Sequence, residues 1–506
     1  MAEDKVLPKI GKNVIETLTL GMYENPFFIY REYVQNSADQ IDIAVEENIL
    51  KSKSEGQINI NIDRESRIIT IRDNATGIKS QNALKFLGNV ADSQKDRNKR
   101  KGFRGIGRLG GLGYCTRLIF ETTYKGEHVK SIMSLNATYL RQIIENKDID
   151  WDAAQVISTI TKLQSGEADI DDHFFEVRLE GVYNSADELL NEDKVNKYLS
   201  QTAPIPFDKD FSFGEEIKDN LLNMGLSLEE YDVHLNVNNK PLFKPYKDSI
   251  FDDDQNELTK ITGINYFRIV SEEKDLLAVG WNGISSSLNK ALKSIYAGIR
   301  LRKNNIQIGD KITLNKHFSE ARFNDHFIGE VHIIHDNFIP NARRDYFNEN
   351  ASVISFQQNF KRISKDLVKM GRHVSFLHSR LKDIKKFKAE KERVEKENYT
   401  PEQYKATLEP LHKKALESSE KLTDFDFYNE YDSPEHQLYQ EIVGEYDITI
   451  DGPLDTKRIA NKKLSFSKLN EQQSKIVFEI IDILDQNLDI EVFNKIKNTL
   501  IEKYNS

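Results

Sequence analysis

Apolar residues recur first at helical and then at strand spacing along this chain. Phe27, Tyr30, Val34, Ile41 and Val45 share one helical face. They lie in a helical stretch from Ile10 to Leu50, interrupted near Gly21–Pro26, and Pro26 suits the first turn of the second helix. Ile58, Ile60 and Ile62 then alternate with polar residues, and Ile68, Ile69 and Ile71 follow the turn Asp63-Arg64-Glu65-Ser66. That pattern predicts a β-hairpin whose second strand ends at Asp73. Residues 79–101 are polar and charged apart from a short helical stretch, Leu84–Leu87, and read as a lid. A helix is expected over Leu109–Cys115, a strand over Leu118-Ile119-Phe120 and a helix over Ser185–Ser200.

Between Pro204 and Asn350 the strand-like runs are Tyr266–Val270, Leu276–Trp281, Gly298–Leu301 and Val331–Ile334. Ile363, Leu367, Met370, Val374, Leu377, Leu381 and Ile384 then alternate spacings of four and three. This seam fits either an intramolecular helical hairpin or a dimeric coiled coil. Thr400-Pro401-Glu402 caps a second helix, and Asp424–Glu435 reads as an acidic, aromatic linker. Two amphipathic helices follow, near Ser474–Leu484 and Ile490–Tyr504. The pattern predicts an α+β fold with a first domain over 1–202, a mixed domain over 203–352, a hairpin or coiled coil over 353–423, and a linker with terminal helices over 424–506.

Three short segments carry the candidate chemistry. Arg31–Asp39 places Glu32, Asn36 and Asp39 on one helical face. Ile71–Ile78 places Asp73 at a strand end beside a turn, and Lys101–Arg108 is a glycine-rich loop able to turn backbone N–H groups toward phosphates. Together they describe a magnesium nucleotide site. Taken singly, Glu32 would be a surface glutamate balanced by Arg31, and Asp73 a turn-initiating residue.

The three segments, in this order, resemble the boxes of the GHKL ATPase superfamily, which includes gyrase B, the heat-shock-protein-90 chaperones, MutL, the MORC ATPases and the histidine kinases. Glu32, Asn36 and Asp39 match the Glu-x-x-x-Asn-x-x-Asp box. Asp73 and Gly77 match the Asp-x-Gly-x-Gly box, with Ala75 where its first glycine usually stands. Gly102, Gly105 and Gly107 match the Gly-x-x-Gly-x-Gly box. The resemblance implies a Bergerat-type α/β sandwich that binds ATP and Mg2+. Glu32 would be the general base, Asn36 the metal ligand, Asp39 a supporting residue and Asp73 the adenine acceptor. Gly102, Phe103, Arg104, Gly105, Ile106 and Gly107 would hold the triphosphate. The mixed domain resembles a transducer or middle domain through Gly298–Lys303 and Phe338–Asp345. Arg344 is then a candidate for the γ-phosphate, against the alternative of a surface ion pair with Asp345; Lys303 is a second candidate. The resemblance further implies an ATP-gated homodimeric clamp with a protein client or partner enzyme, and for the prokaryotic MORC-like members a role in phage defence. Rivals are a MutL- or topoisomerase-like ATPase acting on DNA and a nucleotide-dependent scaffold without significant hydrolysis.

Composition narrows the remainder. The net charge is −10, from 71 Lys and Arg against 81 Asp and Glu, which argues against a nucleic-acid-coating protein. A local basic run, Lys95–Arg108, leaves nucleic acid open as a partner, with a lid face as the alternative. A single cysteine, Cys115, excludes an intrachain disulfide. With neither an apolar leader nor a membrane-spanning run, a cytoplasmic location is expected. The eleven histidines show no metal-ligand spacing.

Overall fold

The computed structural model describes residues 10–19, 25–89, 107–236, 240–252, 254, 256–397, 399–428, 433–450, 452–454 and 466–505. The candidate phosphate residues Gly102, Phe103, Arg104, Gly105 and Ile106, and most of the basic run, lie outside them. The chain divides into two compact units. One comprises Met1–Ser285 and Lys290–Val368, the other Ser286–Asn289 and Lys369–Ser506.

The first unit holds two sheets. Helices α1 (Asn13–Thr19) and α2 (Phe28–Glu46) precede β1 (Gln57–Asp63) and β2 (Ile68–Asp73). Then come α3 (Ser80–Gly88), β3 (Arg117–Thr123), β4 (Val129–Asn136), α4 (Ala137–Glu145), α5 (Ala153–Ile160), β5 (Thr161–Glu167), β6 (Phe174–Glu180) and α6 (Glu192–Thr202). Asn25 starts α2, its side chain accepting the Phe27 N–H at 2.9 Å. The hairpin has the register its alternation requires: Ile58 faces Asp73 and Ile62 faces Ile69. Ile58, Ile60 and Ile69 pack into the core with Phe28, Tyr30 and Val34 of α2. Leu109–Cys115 differs from expectation, because Gly107–Gly113 is a 3-10 helix. Its glycines admit close neighbours: a Cβ on Gly110 would lie 2.6 Å from the Phe28 ring, and one on Gly111 2.6 Å from the Tyr33 hydroxyl.

The first sheet does not stop near residue 202. After α7 (Gly214–Asn223), strands β7 (Asp232–Leu235) and β8 (Lys240–Pro241) extend it to the order β5-β4-β3-β6-β2-β1-β7-β8, with β7 parallel to β1. Beyond the short pair β9 (Ser249–Phe251) and β10 (Glu257–Lys260), five strands form the second sheet. They are β11 (Gly263–Val270), β12 (Leu276–Ile284), β13 (Gly298–Lys303), β14 (Ile306–Gln307) and β15 (Ile328–Ile333), in the order β11-β12-β15-β13-β14.

Helix α8 (Ala351–Lys396) carries the heptad seam, and α9 (Pro401–Tyr428) follows. In the second unit the two helices run antiparallel: Lys414 pairs with Asp383 at 2.9 Å, and His412 meets the Phe387 ring at 5.3 Å. Leu377 and Leu381 are buried, as are Tyr404, Leu408, Ala415 and Leu422 on the opposing helix. Within the chain, the seam residues thus face α9. Asp424–Tyr428, read from composition as linker, continues α9, because Leu422 and Phe425 still have partners: Phe425 meets Tyr439 of α10 (Pro434–Ile442) at 6.3 Å. Helices α11 (Glu471–Asn487) and α12 (Ile490–Asn505) pack about Ile481, Phe493 and Phe466.

Candidate functional site

Helix α2 lies against the β1–β2 hairpin and brings the first two segments together. Glu32 and Asp39 are buried, and Asn36 between them is half-buried. Asp73 closes β2, paired with Ile58 on one side and Phe175 on the other. Its neighbour Asn74 is a turn anchor: the Asn74 side chain accepts the Gln57 N–H at 2.7 Å and donates to the Glu55 carbonyl at 2.9 Å.

The Asp73 carboxyl is 1% exposed. Oδ1 accepts the Ala75 N–H at 3.1 Å, whereas Oδ2 has no hydrogen-bond partner among the described residues. Burial pushes its pKa up to about 6, against the opposing pull of the Ser37 hydroxyl and the Ala75 and Phe175 amides. A buried acceptor without a donor is costly and is found where a ligand supplies the donor. Ala75 is absent from the residues with positive φ, so its methyl group carries no backbone strain. Gly77 differs: its φ is +66°, and a Cβ there would come within 1.8 Å of the Thr123 carbonyl oxygen. The turn therefore accepts only glycine at 77.

Gly107 is the one glycine of the third segment within the described residues, and it abuts the helix. A Cβ on it would lie 2.4 Å from Glu32 Oε2. The start of the 3-10 helix is fixed there by Tyr33, whose hydroxyl donates to the Arg108 carbonyl at 2.9 Å and accepts the Gly111 N–H at 3.2 Å.

Arg344 is turned into the protein and is not a surface residue. The Asp345 carboxylate is occupied within its own turn, accepting from Asn341 Nδ2 at 2.5 Å. Arg344 is buried, sits at φ +57°, and points its Nε at Glu32 Oε1 over 3.0 Å. Arg31 Nη2 approaches the same oxygen at 3.4 Å and the Arg343 carbonyl at 3.5 Å. Lys303 is held elsewhere, its ammonium donating to the His335 carbonyl at 3.0 Å. The structure thus joins the two sheets of the first unit at Glu32, through residues 312 positions apart in the chain.

Residues 30–166 match the family model described as histidine kinase-, DNA gyrase B- and HSP90-like ATPase. This segment is similar to the GHKL-type ATPase domains. Among curated proteins, the chain is similar to Chaperone protein HtpG of Fusobacterium nucleatum, 23% identical over 51% of this chain and 39% of the relative. It is also similar to HtpG of Anaplasma marginale, 25% identical over 34% of this chain and 29% of the relative. The HtpG of Psychrobacter cryohalolentis is 24% identical over 43% and 34% respectively. The chain therefore spans less than two fifths of the length of these relatives.

Within the matched segment, sequence reasoning missed Ser37 as a partner of Asp73 and treated Arg31 only as a charge balance. It also passed over Gln35, which is fully buried with neither amide atom bonded among the described residues. Among the described residues, no helix is long and apolar enough to cross a membrane.

Proposed function

We propose that this chain binds Mg-ATP at the α2–β2 site and hydrolyses it with Glu32 as general base, using Arg344 to couple turnover to the relation between its two sheets. The observations that carry the reading are a buried Asp73 whose Oδ2 has no hydrogen-bond partner among the described residues, and a buried Glu32 that Arg344 reaches from the turn beyond β15. The residues fit the nucleotide. Asp73 Oδ2 is an acceptor aimed from a strand end, as an exocyclic amino group needs. Gly107 brings the start of the third segment's described part directly against Glu32, where a Cβ would lie 2.4 Å from Oε2.

Water would attack the γ-phosphoryl group of ATP with ADP as the leaving group, and bound magnesium would offset charge on the phosphates. Asn36, one helical turn from Glu32, would hold that ion, with phosphates and water filling its other positions. Asp39, buried on the same helix face, would support the site. With the Arg344 and Arg31 guanidinium groups on Oε1, that oxygen is already engaged and is not open to an attacking water. Transfer of Arg344 from Glu32 to the γ-phosphate would free the carboxylate and stabilise the charge on the transferring group in one movement. Together with the HtpG similarity, this supports a chaperone-like conformational switch, acting as a homodimeric clamp on a protein client. The deciding experiment measures ATP binding and single-turnover hydrolysis in Glu32→Ala: binding should persist and turnover should fall about a thousandfold. Hydrolysis at the wild-type rate would remove Glu32 from the chemistry.

A further inference from the structure

The second sheet buries a charged cluster that the site described above does not use. Glu330 of β15 is fully buried and receives Arg302 Nε at 2.5 Å, Lys244 Nζ at 2.8 Å, the Tyr246 hydroxyl at 3.0 Å and His332 Nε2 at 3.0 Å. Burying several ionisable groups is expensive, and an apolar cluster of the same volume often serves stability as well or better. The remaining bonds of Arg302 suggest what the expense accompanies. Its Nη2 donates to the Gln201 carbonyl at 2.8 Å, in the last turn of α6, and its Nη1 donates to the Asn305 carbonyl at 2.9 Å, in the β13–β14 turn.

Both contacts lead to Glu32. Helix α6 carries Tyr198, whose ring meets Phe27 at the start of α2 at 5.6 Å and lies in the field of Arg31 and Glu32. In the other direction, Arg302 pairs with Gln307 across the hairpin, and two residues later the Gly309 N–H donates to the Arg344 carbonyl at 2.8 Å. Gly309 has φ +68°, and a Cβ there would lie 2.6 Å from the Asp345 carbonyl oxygen, so the turn holding Arg344 is seated tightly on the end of β14. One guanidinium group therefore ties the helix that packs on the start of α2 to the hairpin on whose end the Arg344 turn is held.

We propose that Arg302, clamped by Glu330, is a positioning residue that sets Arg344 against Glu32. This rests on the ATPase reading above. Lysine at 302 can still neutralise Glu330 but cannot span Glu330, Gln201 and Asn305 at once.

The test uses the full chain. Arg302→Lys should lower kcat about tenfold with unchanged ATP affinity, and should cause no further loss in an Arg344→Ala background. Hydrogen exchange at Gly309 and across residues 341–345 should quicken about tenfold, a readout that needs no turnover. The triple replacement Lys244→Met, Arg302→Met, Glu330→Leu separates positioning from stability. It leaves no member of the Glu330–Arg302–Lys244 group charged, so it should fold even where Arg302→Lys does not. It should remain slow with the same fast exchange. A fully active triple variant, unchanged exchange near Gly309, or losses that multiply with Arg344→Ala would each overturn the proposal. An inactive wild-type protein, or Glu32→Ala at the wild-type rate, would instead overturn the ATPase reading; the exchange measurement would still decide whether Arg302 seats the Arg344 turn.

Discussion

Asp73 shows how a single carboxylate can be set against the fold that holds it. Its folded pKa of about 6 lies above the ordinary value of 3.8, so the folded state binds the proton more tightly than the unfolded chain does. The sign follows: its contribution to stability is fully present below pH 3.8 and is lost as pH rises through 6, leaving a cost on the order of 3 kcal/mol at neutral pH. Asp73→Asn should therefore raise the melting temperature of the nucleotide-free protein at pH 7.5 while abolishing ATP binding, as calorimetry and titration would show; a lower melting temperature would contradict the burial argument. Wild-type ATP affinity should itself fall as pH drops below about 6, because a protonated carboxyl presents a donor to the adenine amino group. Gly107→Ala makes the complementary point at Glu32. Its methyl group would need the space 2.4 Å from Oε2, and the resulting shift of the base should slow single-turnover hydrolysis about tenfold or more. Turnover at the wild-type rate would show that the carboxylate relaxes without consequence.

At the scale of elements, local pattern and long-range pairing part company. Ile58, Ile60 and Ile62 announced β1 because one strand face is core and the other is not, and the spacing of Glu32, Asn36 and Asp39 needed only the pitch of a helix. β7 could not be read in the same way. It has four residues, its partner β1 lies far back in the chain, and nothing near Asp232 records that pairing. A chain cut near Ser200 would thus remove two strands from the first sheet, and is a poor test of what the matched segment does alone. The pairing of Arg344 with Glu32 was hidden for the same reason, whereas the adjacent Asp345 offered an obvious partner. In the helical unit the heptad seam was legible, and only the opposing helix decided what filled it. Leu377→Glu with Leu381→Glu should consequently melt the hairpin, seen as lost ellipticity and early thermal unfolding, because each charge enters a buried layer. A folded variant that merely becomes monomeric would restore the coiled-coil dimer.

For the whole molecule, the proposed function would make hydrolysis depend on the turn that carries Arg344, through its contact with Glu32. Arg344→Ala should lower kcat about a hundredfold with little change in ATP affinity, and Arg343→Ala should matter less, since only its carbonyl meets Arg31. Equal losses in the two variants would remove the specific role of Arg344. If the chain acts as a clamp, light scattering with a non-hydrolysable ATP analogue should give a larger mass than with ADP, and the same mass in both would exclude ATP gating of assembly.

The helical unit has a further property that concerns inheritance more than catalysis. It is built from two separate stretches of sequence, since Ser286–Asn289 belongs to it although β12 and β13 flank that loop. Within the unit, the Ser286 N–H donates to Glu441 Oε1 at 2.9 Å, and the Ser286 carbonyl meets His378 Nε2 at 2.7 Å. A gene fragment beginning at Lys369 would encode nearly all of these helices yet leave Glu441 and His378 without those partners. The unit is therefore not one continuous stretch of sequence, and a transplant of it would have to carry four residues of the β12–β13 loop as well. Its association with the first unit is written into the order of the chain.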